Sequence, residues 1–523
     1  MSLMVRGKNN FDLNAILKYL WLFSLLLYSL VALYFVSPNF TLHHYRQAQT
    51  AMTALYLPQS GFRLDYLTPI MGFPWKVPLE FPLFQWIAVL LQEMTNSDLI
   101  VCGKVINIFC HITTNIIILQ IFRNRQLPIS IPYTALIFYN FFPFYLVFDS
   151  VFLIDTFSLT LAFVTVYFGS LFFKPKSNVL FLLLFLVSAI CTGVSKSTTF
   201  IGVLAPLMAM MMMQELIRNG GFKKVGLVSG TSKKIVAIGL SILVAFAVMY
   251  AWVVFSDTVK MDNPLAAEWT SSRTTAWNFG TIEQRLSFSN WKQYMSYSML
   301  AHPLFYIALT FLMALFLFVS SKKQRVLMVC FAGLFLIPLL FFFNLFIIHT
   351  YYSVANILFL YLTIAVLITA ILESNRQNIK YAGCVTGVLI LLFGSYRSYA
   401  FRHQITKSVN EPGVYGQLNK IQFNPDMNDV VVLIQSSRDP FLQYYFKCRG
   451  INLNSEEYRL YGEKDKLKQL SGGLKIKMIC IVDDKQLNVL PAEYAGILPG
   501  EMKHISLSHQ PEANKYYNFF WYQ

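Results

Sequence analysis

Eleven apolar runs, each about as long as a bilayer core requires, dominate this 523-residue chain. A helix needs roughly 20 such residues to cross the hydrocarbon. The runs fall at about 14–36, 99–121, 130–148, 151–173, 179–195, 198–217, 235–255, 303–320, 326–348, 353–372 and 381–398. Backbone in lipid must satisfy its own hydrogen bonds, so this pattern predicts an α-helical polytopic membrane protein. Composition agrees. The chain is 56% hydrophobic and 13% charged, whereas soluble domains carry about 25% charged residues. That excludes a soluble enzyme, a disordered chain or a fibre. The first run is too long for a cleaved signal peptide, lacks a small-residue cleavage site, and reads as a retained anchor. Phe81–Leu91 is half a span interrupted by Pro82 and Gln85, and predicts a helix lying at the interface.

The formal net charge of +16 raises the question of a nucleic-acid partner, so the location of the charges matters. Alternate short loops carry Arg123 and Arg125; Lys174 and Lys176; Lys223, Lys224, Lys233 and Lys234; Lys322, Lys323 and Arg325; Arg376 and Lys380. Arg6 and Lys8 precede the first run. The positive-inside rule makes all of these cytoplasmic, so the charge is an orientation signal and no nucleic-acid partner is expected. Eleven crossings from a cytoplasmic N-terminus put the loops at 37–98 and 256–302, and residues 399–523, outside. The expected organisation is a membrane domain over 1–398 and a small extracytoplasmic α/β domain over 399–523. In that tail, Val430–Ile434 and Ile476–Val482 read as strands and Asp439–Phe446 as a helix. Of seven cysteines, five lie in apolar runs. Cys448 and Cys480 lie in the tail and could pair. Met210–Met213 reads as packing filler.

Polar residues at membrane depth are costly and mark candidate sites. Here they gather at the outer ends of the spans. His43–Leu57 predicts an amphipathic helix with His43, Arg46, Gln47 and Thr50 on one face. Arg46 offers a planar fork suited to phosphate. Asp65 and Glu80 bracket a stretch with Pro69, Gly72, Pro74 and Pro78, which predicts a shaped loop. Asp155 lies a turn into an apolar run and should be paired or line a cavity, whereas Asp149 is expected at the surface. Lys196, in GVSKSTTF, is a cation on the side the charge rule disfavours. His349, Tyr351 and Tyr352 close the ninth run, and His302 opens the eighth. An interfacial belt explains such aromatic residues without a function. No phosphate loop, dinucleotide fingerprint, HExxH or GxSxG occurs in a supporting context.

The segments HHYRQAQTA, LDYLTPIMGFPW, EFPLFQW, FLIDTFSLTLAF, GVSKSTT and HTYYSV, in this order, resemble bacterial membrane glycosyltransferases. The relatives are the protein O-mannosyltransferases and the lipid A aminoarabinose transferase, GT-C fold enzymes grouped as glycosyltransferase family 39 or PMT-like. The resemblance covers roughly residues 14–372. It implies transfer of a sugar from a polyprenyl-phosphate donor to a lipid, glycan or protein acceptor at the outer face of the inner membrane, with inversion. One departure stands out: Gln49 occupies a place where some relatives carry Asp.

On that reading Arg46 and Lys196 neutralise the leaving phosphate, and Asp65 or Glu80 acts as general base. His43, His44, Gln47, Asp155, His349, Tyr351 and Tyr352 line the donor cavity. Glu80 with His302 could hold a zinc, manganese or magnesium ion, although two ligands make a thin case. The aromatic loop with Trp269, Trp277 and Trp291 could cover the site. The alternative is a transporter or flippase of a polyprenyl-linked glycan. Such proteins show repeats and midplane polar sites, and neither is visible in this sequence.

Overall fold

A computed structural model describes residues 12–40, 42–219, 230–297, 303–410, 414–435, 439–494, 496–498, 502–509 and 515–522. Its membrane part begins with α1 (Leu13–Tyr34), α2 (His44–Ser60), α3 (Leu83–Thr95), α4 (Leu99–Asn124), α5 (Ser130–Phe141), α6 (Pro143–Asp149), α7 (Asp155–Phe172) and α8 (Val179–Ser195). It continues with α9 (Ser197–Thr199), a π-helical turn Phe200–Leu204, α10 (Ala205–Arg218) and α11 (Gly230–Met261). Three short helices follow, α12 (Thr275–Phe279), α13 (Ile282–Leu286) and α14 (Phe288–Tyr297). The last membrane helices are α15 (Pro303–Val319), α16 (Lys322–Phe341), α17 (Phe343–Ile348), α18 (Ile357–Leu372) and α19 (Gln377–Asn410).

Every predicted run is helical. Among the described residues, six helical units are long and apolar enough to cross a membrane: α1, α4, α7, the unit Ser197–Arg218, α11 and α16. Shorter apolar helices come from α8, α15, α18 and α19. The chain is an integral membrane protein. Polar side chains start several of these helices. Asp98 accepts from the Ile100 and Val101 amides at α4, and Asn178 from the Leu180 amide at α8. Ser321 forms a capping box at α16. These caps satisfy amides that a helix start leaves open.

The 130–148 run differs from expectation. It breaks at Phe142, which is extended ahead of Pro143, because a residue before proline is pushed out of the helical region. The 12 residues of α5 reach only about 18 Å. Its residues from Ser130 to Asn140 are all buried, so α5 packs inside the bundle. The 326–348 run also breaks, at Phe342 between α16 and α17, where no proline follows.

The tail is built on β1 (Val430–Ile434), α20 (Phe441–Phe446), β2 (Arg449–Leu453), α21 (Ser455–Tyr461), α22 (Lys464–Leu470), β3 (Ile476–Asp483), β4 (Lys503–His509) and β5 (Lys515–Trp521). Sheet order is β2-β1-β3-β5-β4, with β1 parallel to β2 and β3, and β5 antiparallel to β3 and β4. Both expected strands and the expected helix are present. Cys448 and Cys480 are free and buried in one core cluster.

The sheet is seated on the loop between α2 and α3. The Gly72 amide donates to the Gly450 carbonyl at 3.1 Å, the Gly450 amide to the Pro69 carbonyl at 2.8 Å, and the Phe73 amide to the Leu470 carbonyl at 2.7 Å. Gly72 adopts φ +77°, and a Cβ there would lie 3.1 Å from the Leu470 carbonyl oxygen. Glycine meets both demands. Ile70, Met71, Trp75 and Val77 share a core with Val430, Val432, Ile451 and Leu470. Burying each such side chain contributes roughly 1.5–3 kcal/mol, so the loop and the sheet hold each other.

Candidate active site

Three cation–carboxylate pairs border one cavity, two of them made of residues singled out in the sequence. Arg46, on the buried helix α2, places Nη2 2.6 Å from Glu80 Oε2 and donates from Nη1 to Gln49 Oε1 at 3.0 Å. Gln85 at the start of α3 donates to the other Glu80 oxygen at 2.9 Å. Lys196, at the break between α8 and α9, is hydrogen-bonded to Asp155 at the first position of α7. Its ammonium lies 4.3 Å from the Tyr352 ring centroid and 5.4 Å from that of Tyr351, which adds cation–π attraction. The cavity between the pairs has a volume of about 220 Å³. Arg46, Glu80, Lys196, Tyr351 and Tyr352 line it.

The Arg46 guanidinium is held above its ordinary pKa. Burial pulls it down, but the Glu80 carboxylate more than compensates. The two bonds described use two of its five N–H donors. The segment that delivers Asp155 is pinned on both sides. Asn107 donates to the carbonyls of Val151 and Leu153, both at 2.9 Å, and Gln47 Oε1 accepts from the Phe152 amide at 2.9 Å.

Other predicted residues fall at varied distances from this centre. His349 is beside it, its ring 5.3 Å from that of Tyr351. His43 bonds Thr350 at 2.8 Å and lies edge-on to Tyr351. Burial lowers both imidazoles to about 4. Beyond burial, His349 feels the charges of Arg46 and Lys196, and His43 those of His349 and His44. At neutral pH they are uncharged hydrogen-bonding groups. His43 also caps α2 in a left-handed conformation, φ 58°. Gln47 is fully buried and serves the backbone, donating to the Leu42 carbonyl at 2.7 Å as well as fixing Phe152. His44 faces away, toward Asp439 of the tail at 2.7 Å.

Asp65 does not line this cavity. It is held by Arg63 at 2.9 Å and Lys76 at 2.5 Å in a partly exposed cluster. The hydrogen bond from Arg63 leads the contributions that hold its carboxyl below the usual range. Two acidic residues that bracket a loop in sequence need not converge, and here the Pro-rich turn separates them. Asp149, expected at the surface, is fully buried. It accepts from Tyr28 at 2.6 Å and Thr156 at 2.5 Å, and lies 2.8 Å from His111 Nδ1. His302 lies outside the described residues. Among those described, no group of three or more His, Cys, Asp or Glu converges, and both Glu80 oxygens already have donors. The metal reading therefore gains no further ligand.

The sequence reading missed Asp257 and Lys260, which also line the cavity. Lys260 is 3.0 Å from Asp257, whose other oxygen accepts from the Ser271 amide at 2.9 Å. They belong to α11, which runs beyond 255 to Met261. Of the three tryptophans, Trp269 lines the cavity and Trp277 packs on His349 at 6.0 Å. Trp291 is turned to Phe343 and donates to the Arg285 carbonyl.

Three solved structures are similar across nearly the whole chain. ArnT from Cupriavidus metallidurans bound to undecaprenyl phosphate is 10% identical, with a TM-score of 0.56 over 96% of this chain and 97% of that one. Its apo state is 9% identical, with a TM-score of 0.52 over 97% of both chains. The arabinofuranosyltransferase AftD from Mycobacteria is 10% identical, with a TM-score of 0.50 over 97% of this chain and 41% of that one. This chain has the GT-C fold. No family model matches it. No curated protein sequence matches it. Within the GT-C fold, the Arg46–Glu80 and Lys196–Asp155 pairs come from loops and helix ends, where α2, the loop before α3, α7 and the α8–α9 break come together.

Proposed function

We propose that this protein transfers a sugar from a polyprenyl-phosphate donor to a lipid, glycan or protein acceptor. The observation that carries the reading is the cavity flanked by Arg46–Glu80 and Lys196–Asp155 and walled by Tyr351 and Tyr352, in a chain with the fold of ArnT, a protein seen with undecaprenyl phosphate bound. The donor phosphate binds at Arg46 and Lys196. The acceptor hydroxyl gives its proton to Glu80 as its oxygen attacks the anomeric carbon. The bond from that carbon to the phosphate oxygen breaks, and the lipid phosphate leaves with the electron pair. One displacement inverts the carbon. Cations fixed before the reaction stabilise the leaving charge without reorganisation. Charge neutralisation is thus assigned to side chains, and no step runs through a metal. The basic loops face the cytoplasm, and the cavity and tail face outward from the inner membrane.

The test is sugar transfer from a radiolabelled polyprenyl-phosphate donor by purified protein. Glu80→Gln should lower turnover about 10²–10⁴-fold, the usual range for a general base. Asp65→Asn, outside the cavity, should stay within about threefold, as for surface changes. Wild-type turnover in Glu80→Gln would refute the base assignment. Movement of the intact lipid with its sugar linkage whole would instead favour a transporter.

A further inference from the structure

A second cavity, about 1060 Å³, lies at the basic end of the bundle. It falls near the upper end of ordinary ligand pockets, about 300–1,000 Å³. The transfer reaction does not use it. From Asp155 at the first site to Val166 on its wall, α7 rises about 16 Å.

The cavity arises from how two helical units cross. At the π-helical turn, Gly202 lies against Pro338 of α16; a Cβ there would stand 2.6 Å from the Pro338 Cβ. Beyond that contact α10 and α16 part, and the gap is lined by Met210, Met211 and Met213 on one side and Phe331 on the other. Met213 and Val326 are exposed at its mouth. The wall is therefore apolar and, through its methionines, adaptable. This is a surface for chains of varied shape rather than for a rigid sugar.

The rim is cationic. Arg125, Arg218, Lys322 and Lys323 line it. Glu215 balances the two arginines, 2.5 Å from Arg125 and 3.8 Å from Arg218. Lys322 and Lys323 are exposed, and among the described residues they form no ion pair. Their neighbour Gln324 is the residue that reaches Glu373, at 3.2 Å. Both lysines open α16, where positive charge opposes the helix dipole, so helix stability does not explain them. A long apolar cleft with unbalanced cations at its mouth matches one amphiphile: acyl chains inside, phosphate at the rim. Basic pockets between membrane helices recognise anionic head groups in this way.

We propose that this cleft binds an anionic phospholipid, with its chains among the methionines of α10 and its phosphate at Lys322 and Lys323. The site is independent of the transfer reaction. The test titrates the full-length protein, in neutral detergent, with phosphatidylglycerol and with phosphatidylcholine of the same chain length, reading bound lipid by native mass spectrometry. Phosphatidylglycerol should bind about tenfold or more tightly than phosphatidylcholine, and K322Q/K323Q should remove that preference, as expected for two surface lysines. Ala209→Trp, which fills the cleft, should lower binding of both lipids while the thermal midpoint is retained. If that variant fails to fold, the exposed lysine pair still decides. Equal binding of the two lipids would overturn the proposal. So would phosphatidylglycerol binding unchanged in K322Q/K323Q, or binding of a polyprenyl phosphate there with phosphatidylglycerol excluded.

Discussion

Asp149 and Asp155 stand at the two ends of one short segment and live in opposite settings. Asp149 is fully enclosed, with Tyr28, Thr156 and His111 around it, and His111 is stacked between Tyr28 and Tyr139 at 3.8 and 3.9 Å. Asp155 also has a close partner, Lys196, but Lys196 faces a cavity. Both carboxylates are buried, and burial alone does not tell them apart. The difference is what the partner touches next. Around Asp149 every neighbour is another side chain of the bundle, so the group locks α1, α4, α6 and α7 together. Around Asp155 the partner borders space that a ligand can fill. A buried charge closed on all sides fixes a fold; one whose partner borders a cavity is available for chemistry.

Substitution should separate the two. Asp149→Ala strips the acceptor from Tyr28 and Thr156 and leaves them buried. The expected cost is about 3–5 kcal/mol, as for a buried pair that loses one partner. It should appear as a large fall in thermal midpoint and folded yield in detergent. Lys196→Gln should act on the other axis. Water can enter the cavity beside Asp155, so the midpoint should fall less than in Asp149→Ala. Transfer should fall about 10²–10³-fold, as when one preorganised donor to a developing anion is removed. A stable Asp149→Ala protein with normal spectra, or an unfolded Lys196→Gln protein, would invert the comparison.

The spans were legible because apolar length alone decides them, and the polar cluster because Arg46 and Lys196 stand at apolar helix ends, away from the basic short loops. What was illegible depended on contacts distant in sequence. Asp149 looks like a helix-end residue in its own context; its partner Tyr28 lies 121 positions away. Asp65 and Glu80 look equivalent in sequence until Lys76 folds back on the first and Arg46 on the second. Asp257 and Lys260 resemble an interfacial helix end, and only the extra turns of α11 carry them to the cavity. The strand β5, KYYNFFW, was not among the expected strands, and Asn518 interrupts its apolar pattern. The fold satisfies that amide with Ser506 at 2.6 Å and the Leu487 amide at 2.9 Å. The break at Phe142 was written in Pro143, but the apolar run hid it.

The smallest effect concerns the seam between the membrane part and the tail, where His44 meets Asp439 and its ring lies edge-on to Phe441. Burial lowers the His44 pKa, but the hydrogen bond and charge of Asp439 more than offset this, so the folded value is raised above the ordinary 6.5. The pair's stabilisation is full below that ordinary value and is lost as pH rises through the folded one. Amide exchange in Phe441–Phe446, corrected for its intrinsic pH dependence, should therefore quicken as pH is raised from 6 toward 8.5. His44 is partly exposed, and solvent screening should keep the change under about fivefold. His44→Gln should remove the pH dependence and exchange at the faster rate throughout. Protection independent of pH in the unmodified protein would mean that the apolar contact with Phe441, not the ion pair, holds this seam.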